Sequence, residues 1–285
     1  MNLPKPIKFE VERYVGGLSQ FERIKNPIKL SANESALGPS PKAIETFEKE
    51  KNKILKYPES DSDSLREALS KKFKIDPKRI ICGSGSDQIF DLTCRLFIEP
   101  GDEVIVTEFG FIMYKIYASL YKAKVVLAKE KNFKTSVEEI IKKVSDKTKI
   151  VFIANPNNPT GTYLSKNEML DLRKKLRSDI LLVVDDAYYE FLNFNNFTSG
   201  LDLFMDSHNV LVTRTFSKIY GLAGLRLGWG YSSKDIIDSM YNVKPPFNVN
   251  RGALAAGLEA IKDNEWTKRA IEHNTLWSKK IFSIL

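Results

Sequence analysis

Ile180-Leu-Leu-Val-Val-Asp185-Asp186-Ala187-Tyr188 is an unbroken apolar run that closes on two carboxylates, with a tyrosine three residues beyond the first acid. A run with no polar alternation has no solvent-facing side, so it reads as a strand buried on both faces, the kind found inside a helix-covered parallel sheet. A second strand-like run follows at 209–213, and upstream the same alternation recurs. Strand at 79–82 leads to helix at 86–97, strand at 103–107 to helix at 111–121, strand at 124–128 to helix at 136–144, and strand at 149–154 to helix at 166–176. This succession predicts an α/β domain around a mostly parallel sheet with helices on both faces. Pro245-Pro246 stops the helix before it, and the apolar periodicity from 251 to 285 predicts a connecting helix into another domain. That helix runs to the last residue without a Gly or Asn stop signal, so the expected division is an N-terminal arm and covering segment over 1–40, a large domain over 41–246, and a connecting helix with the start of an incomplete small domain over 247–285.

Bulk properties exclude several functions. The chain has 285 residues with 42% apolar and 28% charged, which suits a folded protein with a substantial core. Its net charge of +8 is spread over short lysine doublets, Lys71-Lys72, Lys142-Lys143 and Lys174-Lys175, with acids nearby. Solvated helix faces look like this, and no dense basic run points to nucleic acid. No apolar stretch approaches membrane-spanning length, and the first residues lack the apolar core of a signal peptide, so a cytoplasmic protein is expected. Cys82 and Cys94 read as buried reduced thiols, and His208 and His273 form no local ligand spacing, so no metal is expected.

Chemistry concentrates at the ends of the strands. Thr213-Arg214-Thr215-Phe216-Ser217-Lys218 follows the last strand and runs into Gly221-Leu-Ala-Gly224-Leu-Arg226-Leu-Gly228. A lysine at the carboxyl end of a parallel strand points into the crevice where ligands bind, and Thr215, Ser217 and Arg226 supply donors for a phosphate. Taken alone, the lysine motif reads equally well as a surface turn. The other motifs tip the balance. Asp185 can keep a pyridine nitrogen protonated, and Tyr188 can hydrogen-bond a ring hydroxyl. A nucleotide hydrolase also ends a strand in acids, but it needs a phosphate loop with a Gly-Lys step, and the sequence has none. Gly83-Ser84-Gly85-Ser86-Asp87-Gln88 places a Gly-rich turn before a helix, whose first backbone amides bind phosphate. Asn155-Pro-Asn-Asn158-Pro-Thr-Gly161 fixes a rigid loop from which Asn158 can reach a ring oxygen.

These four motifs, in this order, resemble the fold-type I pyridoxal-phosphate aminotransferases of class II, most closely the histidinol-phosphate aminotransferase family, and the resemblance spans nearly the whole chain. It implies the aspartate-aminotransferase-like fold, with a partial small domain, and pyridoxal 5'-phosphate as cofactor. It further implies Lys218 as the Schiff-base lysine, Asp185 as partner of the pyridine nitrogen, and Asn158 and Tyr188 as partners of the ring hydroxyl. Gly85, Ser86, Asp87, Thr215, Ser217 and Arg226 would surround the phosphate, and Phe111 would stack on the ring. The family is homodimeric, and Tyr57 matches a tyrosine that reaches the phosphate in the neighbouring subunit's site. Tyr14 and Asn33 match the segment that covers the substrate.

The chain departs from the family in having Asn33-Glu34-Ser35-Ala36 in place of Asn-Glu-Asn-Pro, and Val15-Gly16 where a proline is usual. No arginine here matches the family's C-terminal arginine that grips the substrate carboxylate, so the 285-residue chain is expected to bind cofactor yet turn over poorly. The reaction implied is ping-pong transamination between histidinol phosphate and 2-oxoglutarate, with glutamate as the reverse donor and an amino-acid or amino-alcohol phosphate as the small-molecule substrate. An aromatic aminotransferase, a threonine-phosphate decarboxylase and an inactive cofactor-binding fragment share the same motifs.

Overall fold

The computed structural model describes Pro4, Phe9, Val11, residues 14–18 and residues 27–285, so much of the arm expected over 1–40 lies outside the described residues. In chain order the elements are α1 (Pro41–Lys49), α2 (Asp63–Phe73), β1 (Ile80–Gly83), α3 (Ser86–Phe97), β2 (Glu103–Thr107), α4 (Ile112–Leu120), β3 (Lys124–Ala128), β4 (Glu130–Lys131), β5 (Lys134–Thr135) and α5 (Val137–Lys143). There follow β6 (Thr148–Ala154), α6 (Lys166–Lys175), β7 (Leu181–Asp185), α7 (Gly200–Phe204), β8 (Val210–Thr215), β9 (Gly228–Tyr231), α8 (Lys234–Val243), α9 (Arg251–Lys262) and α10 (Asn264–Phe282).

Among the described residues seven strands form one sheet in the order β1-β9-β8-β7-β6-β2-β3. Each neighbouring pair from β8 to β3 is parallel, while β9 runs antiparallel to both β8 and β1. The strand period of two sorts the apolar side chains cleanly. Ile105, Val151, Ile153, Leu182, Val184 and Val212 face one core with Leu65 and Leu69 of α2, Met169 and Leu172 of α6 and Ala256 of α9. Their sequence neighbours Val104, Val106, Phe152, Val183 and Leu211 face the other, with Ile89 and Phe90 of α3, Tyr114 of α4 and Met240 of α8. Both faces are covered, which is why the strands carry no polar alternation.

Two features differ from the sequence reading. The single helix expected from 251 onward is two, because Asp263 ends α9 and its side chain accepts the Trp266 N–H to start α10. α9 itself packs Ala253, Ala256, Ala260 and Ile261 into the same core as α1 and α2. β9 is Gly-Trp-Gly-Tyr, too short and glycine-rich to read as a strand, yet it is the element that seats the glycine turn before α3. A Cβ on Gly228 would lie 2.3 Å from the Ser86 nitrogen and 2.5 Å from the Gly85 carbonyl carbon. Backbone cannot yield as a flexible side chain can, so only glycine lets α3 begin directly against β9. Gly228→Ala is expected to lower stability by about 3 kcal/mol, the upper end of ordinary overpacking, read as a fall in the urea midpoint.

Candidate active site

Parallel strands leave their carboxyl ends on one edge of the sheet, and the site is built there. β7 ends at Asp185, β8 at Thr215 and β6 at Ala154, which feeds the 155–161 loop. A cavity of ≈ 680 Å³ opens along this edge, and its walls include Asp185, Tyr188, Asn158, Lys218, Phe111 and Arg226.

One end of the cavity is an anion cradle. α3 starts at Ser86 after Gly85, whose φ of +79° is in the left-handed region that glycine occupies without strain. A side chain at Gly85 would also meet Arg226, whose Nη2 lies 2.6 Å from the Cβ position. The free N–H groups of the first helical turn and the helix dipole favour negative charge. Ser86, Asp87, Thr215, Ser217 and Arg226 line the same end. Arg226 bonds Asp87 Oδ2 at 3.0 Å, and the Ser217 N–H donates to Thr215 Oγ1 at 3.1 Å. Burial pushes the Asp87 carboxyl upward, against the Arg226 and Lys218 charges, and its Oδ1 is buried without a partner among the described residues.

At the other end, Asp185 is 5% exposed. Tyr114 Oη donates to its Oδ2 at 2.7 Å and Thr213 Oγ1 to its Oδ1 at 3.1 Å. Burial dominates all the same and pushes the carboxyl up to about 7. Lys218 faces the same space, its ammonium pulled down by burial and partly restored by the charges of Glu34 and Asp185. Its Nζ donates to the Ala32 carbonyl at 2.9 Å, and Asn33 Nδ2 donates to Tyr188 Oη at 3.2 Å. The 155–161 loop is anchored where Asn155 accepts the Leu164 N–H at 2.7 Å and donates to the Leu164 carbonyl at 3.1 Å. A buried acid, a half-buried amine of lowered basicity, a phenol and an anion cradle therefore converge on one space.

The family model for aminotransferase class I and II matches residues 25–277. The chain belongs to the class I and II aminotransferases. A histidinol-phosphate aminotransferase from Pelagibacter ubique is 54% identical over 285 residues, which is all of this chain and 79% of that protein. The histidinol-phosphate aminotransferase of Paramagnetospirillum magneticum is 44% identical over 96% of this chain and 76% of its own length. Among solved structures, the histidinol-phosphate aminotransferase of Sinorhizobium meliloti in complex with pyridoxal-5'-phosphate superposes with a TM-score of 0.81 at 26% identity, covering 84% of this chain and 65% of that one. The fold is thus the aspartate-aminotransferase-like one that the motifs implied.

Of the residues singled out in the sequence, Lys218, Asp185, Tyr188, Asn158, Phe111, Ser86, Asp87, Thr215, Ser217, Arg226, Tyr14 and Asn33 all line the cavity of this aminotransferase, and Gly85 forms the turn beneath it. Tyr57 does not; it is 76% exposed and stacks on Phe247 at 4.5 Å. Sequence reasoning missed Tyr114 and Thr213. Thr213 is the register partner of Asp185 on the neighbouring strand, and Tyr114 sits one helical turn after Phe111. Both signals are visible only once the strand pairing and the start of α4 are known.

The raised Asp185 carboxyl makes a pH prediction. In the unfolded chain it ionises near pH ~4, so from there to about 7 the folded state keeps a proton that the unfolded state has lost. Stability contributed by this group therefore falls as pH rises through that window. Asp185→Asn is expected to match the native chain in cofactor-free stability below pH ~4 and to exceed it at pH ~8 by on the order of 4 kcal/mol, measured by urea unfolding across the pH range.

Proposed function

We propose that this chain carries out pyridoxal-phosphate-dependent transamination between histidinol phosphate and 2-oxoglutarate, as a cytoplasmic homodimer. The observation that carries the chemistry is the convergence of Lys218, Asp185, Tyr188, Asn158 and the α3 anion cradle on one cavity. The choice of substrate rests on relatives that are histidinol-phosphate aminotransferases at 54% and 44% identity. The cytoplasmic assignment is in keeping with two free, buried thiols, Cys82 and Cys94.

The residues present fit the cofactor. Its phosphate suits the amides of the first turn of α3 together with Ser86, Thr215, Ser217 and Arg226, and Asp87 beside them sets the arginine. Its ring suits Phe111 on one face, Asp185 at the nitrogen, and Asn158 and Tyr188 at the hydroxyl. When bound, pyridoxal phosphate supplies an aldehyde for covalent attachment and a pyridine ring that spreads the charge left by breaking a carbon–hydrogen bond. The protein's part is to position and to move protons. Lys218 is the attachment point, and its lowered basicity puts more of the amine in the neutral, nucleophilic form. With cofactor and substrate in the cavity, the Lys218 Nζ would be the base placed to hold and move a proton at the reacting carbons. Asp185, held by Tyr114 and Thr213, would face the ring nitrogen and favour its protonated form, and Tyr14 and Asn33 line the cavity on the substrate side.

The dimer proposal rests on an apolar surface away from the cavity. Ile54, Leu55 and Tyr57 are 81%, 80% and 76% exposed. With Phe47 and Phe247 they line a groove of ≈ 930 Å³. Contiguous exposed apolar residues of this kind mark association surfaces. The family resemblance matches Tyr57 to a tyrosine that reaches the neighbouring subunit's phosphate, a role in keeping with its place on this groove and outside its own cavity.

Two measurements test these readings. Borohydride reduction of the cofactor-loaded chain should tag Lys218, and Lys218→Ala should lose both the yellow chromophore and transamination; a tag on another lysine refutes the site. In a panel of amino donors, histidinol phosphate should exceed tyrosine, phenylalanine and threonine phosphate, whereas a preference for tyrosine would leave the chemistry and replace the substrate. Separately, Ile54→Glu with Leu55→Glu should convert dimer to monomer in sedimentation velocity and weaken cofactor binding at least tenfold, about 1.4 kcal/mol. A variant that stays dimeric rules out this surface.

A further inference from the structure

Tyr114 is packed into the wall of the site behind Asp185. It is 1% exposed, and three of its neighbours are aromatic. Its ring stacks on Phe152 at 5.0 Å and 8°, meets Phe90 edge-on at 5.1 Å and 89°, and meets Phe111 edge-on at 5.6 Å and 85°. A phenol buried this deeply needs one partner for its hydroxyl, and the partner is Asp185 Oδ2 at 2.7 Å. Thr213 takes the other carboxyl oxygen at 3.1 Å. With one donor on each oxygen the carboxyl group cannot rotate without breaking both bonds, and the remaining lone pairs are left for the cavity that Asp185 lines.

We propose that Tyr114, with Thr213 as its counterpart, is a positioning residue of the reaction: it sets the plane of the Asp185 carboxylate and, through its ring, the position of Phe111. This rests on the reading of Asp185 as the partner of the ring nitrogen. Two cofactor-facing positions, one at the ring edge and one at its face, then share a single rigid support. The hydrogen bonds also oppose the desolvation that burial imposes on the acid, since a donor favours the charged form of a carboxylate. Among the described residues, the charged and titratable groups that act on Asp185 include Asp186 and Asp87, which disfavour its ionisation, Lys218, which favours it, and the Tyr188 phenol. None of these is altered by removing the Tyr114 hydroxyl. Burial and the adjacent acid hold the Tyr114 phenol well above its ordinary range, so it remains a donor wherever the protein is folded.

Tyr114→Phe keeps the packing and deletes only the donor. In the full-length cofactor-free chain labelled with carboxyl-¹³C aspartate, the Asp185 resonance, assigned by its loss in Asp185→Asn, should titrate about one pH unit higher in Tyr114→Phe than in the native protein. The dissociation constant for pyridoxal phosphate should rise about tenfold, and the ¹⁵N signal of the ring nitrogen in labelled cofactor should move toward the unprotonated value. Thr213→Val should shift all three in the same direction and Thr213→Ser should restore them, a pair that decides the question if Tyr114→Phe does not fold. An unmoved Asp185 titration in Tyr114→Phe, with cofactor binding still weakened in Asp185→Asn, overturns this inference alone. Undiminished cofactor binding in Asp185→Asn overturns the reading of Asp185 and the positioning role with it.

Discussion

A carboxylate taken out of water loses several kcal/mol of solvation, on the order of what a whole domain gains on folding. This fold places two such groups side by side, Asp185 and Asp186, at the end of its central strand. Each survives there only because something is aimed at it. Asp185 is met by two hydroxyls and by the amine of Lys218 across the cavity. Much of the architecture can be understood as the scaffold that brings those groups to that point: β8 supplies Thr213 in register, α4 supplies Tyr114, and the turn after β8 returns Lys218.

The neighbouring acid shows how a strand separates structure from chemistry. Successive side chains of a strand point to opposite faces, so Asp186 lies on the other side of the sheet from Asp185. There it accepts the backbone N–H groups of Gly200 and Leu201 at 3.0 and 3.3 Å and faces the Arg214 guanidinium at 3.5 Å. Arg214 is sandwiched by Tyr189 and Phe73 and bonds Ser199. That acid is consumed by internal partners and holds α7 onto the strand end. Its neighbour, with lone pairs to spare, is the one that faces the cavity.

Legibility in the sequence followed the range of the interaction. Unbroken apolar runs encode burial on two faces, so the parallel strands and the helices between them could be read from local pattern alone. The site motifs could be read for a related reason: a lysine, an acid or a glycine turn placed at the end of a strand falls on the ligand edge whatever the strand order. What could not be read depends on pairing. β9 is four residues with two glycines and acquires its identity only from Gly83 and Thr215 on its two sides. The break at Asp263 is a single capping residue inside a continuous apolar periodicity. Tyr114 and Thr213 look like ordinary core and strand residues until the register sets both against Asp185.

The glycine at 228 and the acid at 185 illustrate two ways in which the site depends on its surroundings. At Gly228 the constraint is steric: the first turn of α3 can start against β9 only where no side chain exists, and the anion cradle inherits its position from that contact. At Asp185 the constraint is electrostatic, because the same burial that raises the cost of its charge also strengthens every interaction the charge makes. A solvated acid would be cheaper to fold and would point its carboxyl in no fixed direction. Placing it at 5% exposure, between two fixed donors, gives up folding stability at neutral pH in return for a carboxyl group held in one orientation toward the cavity.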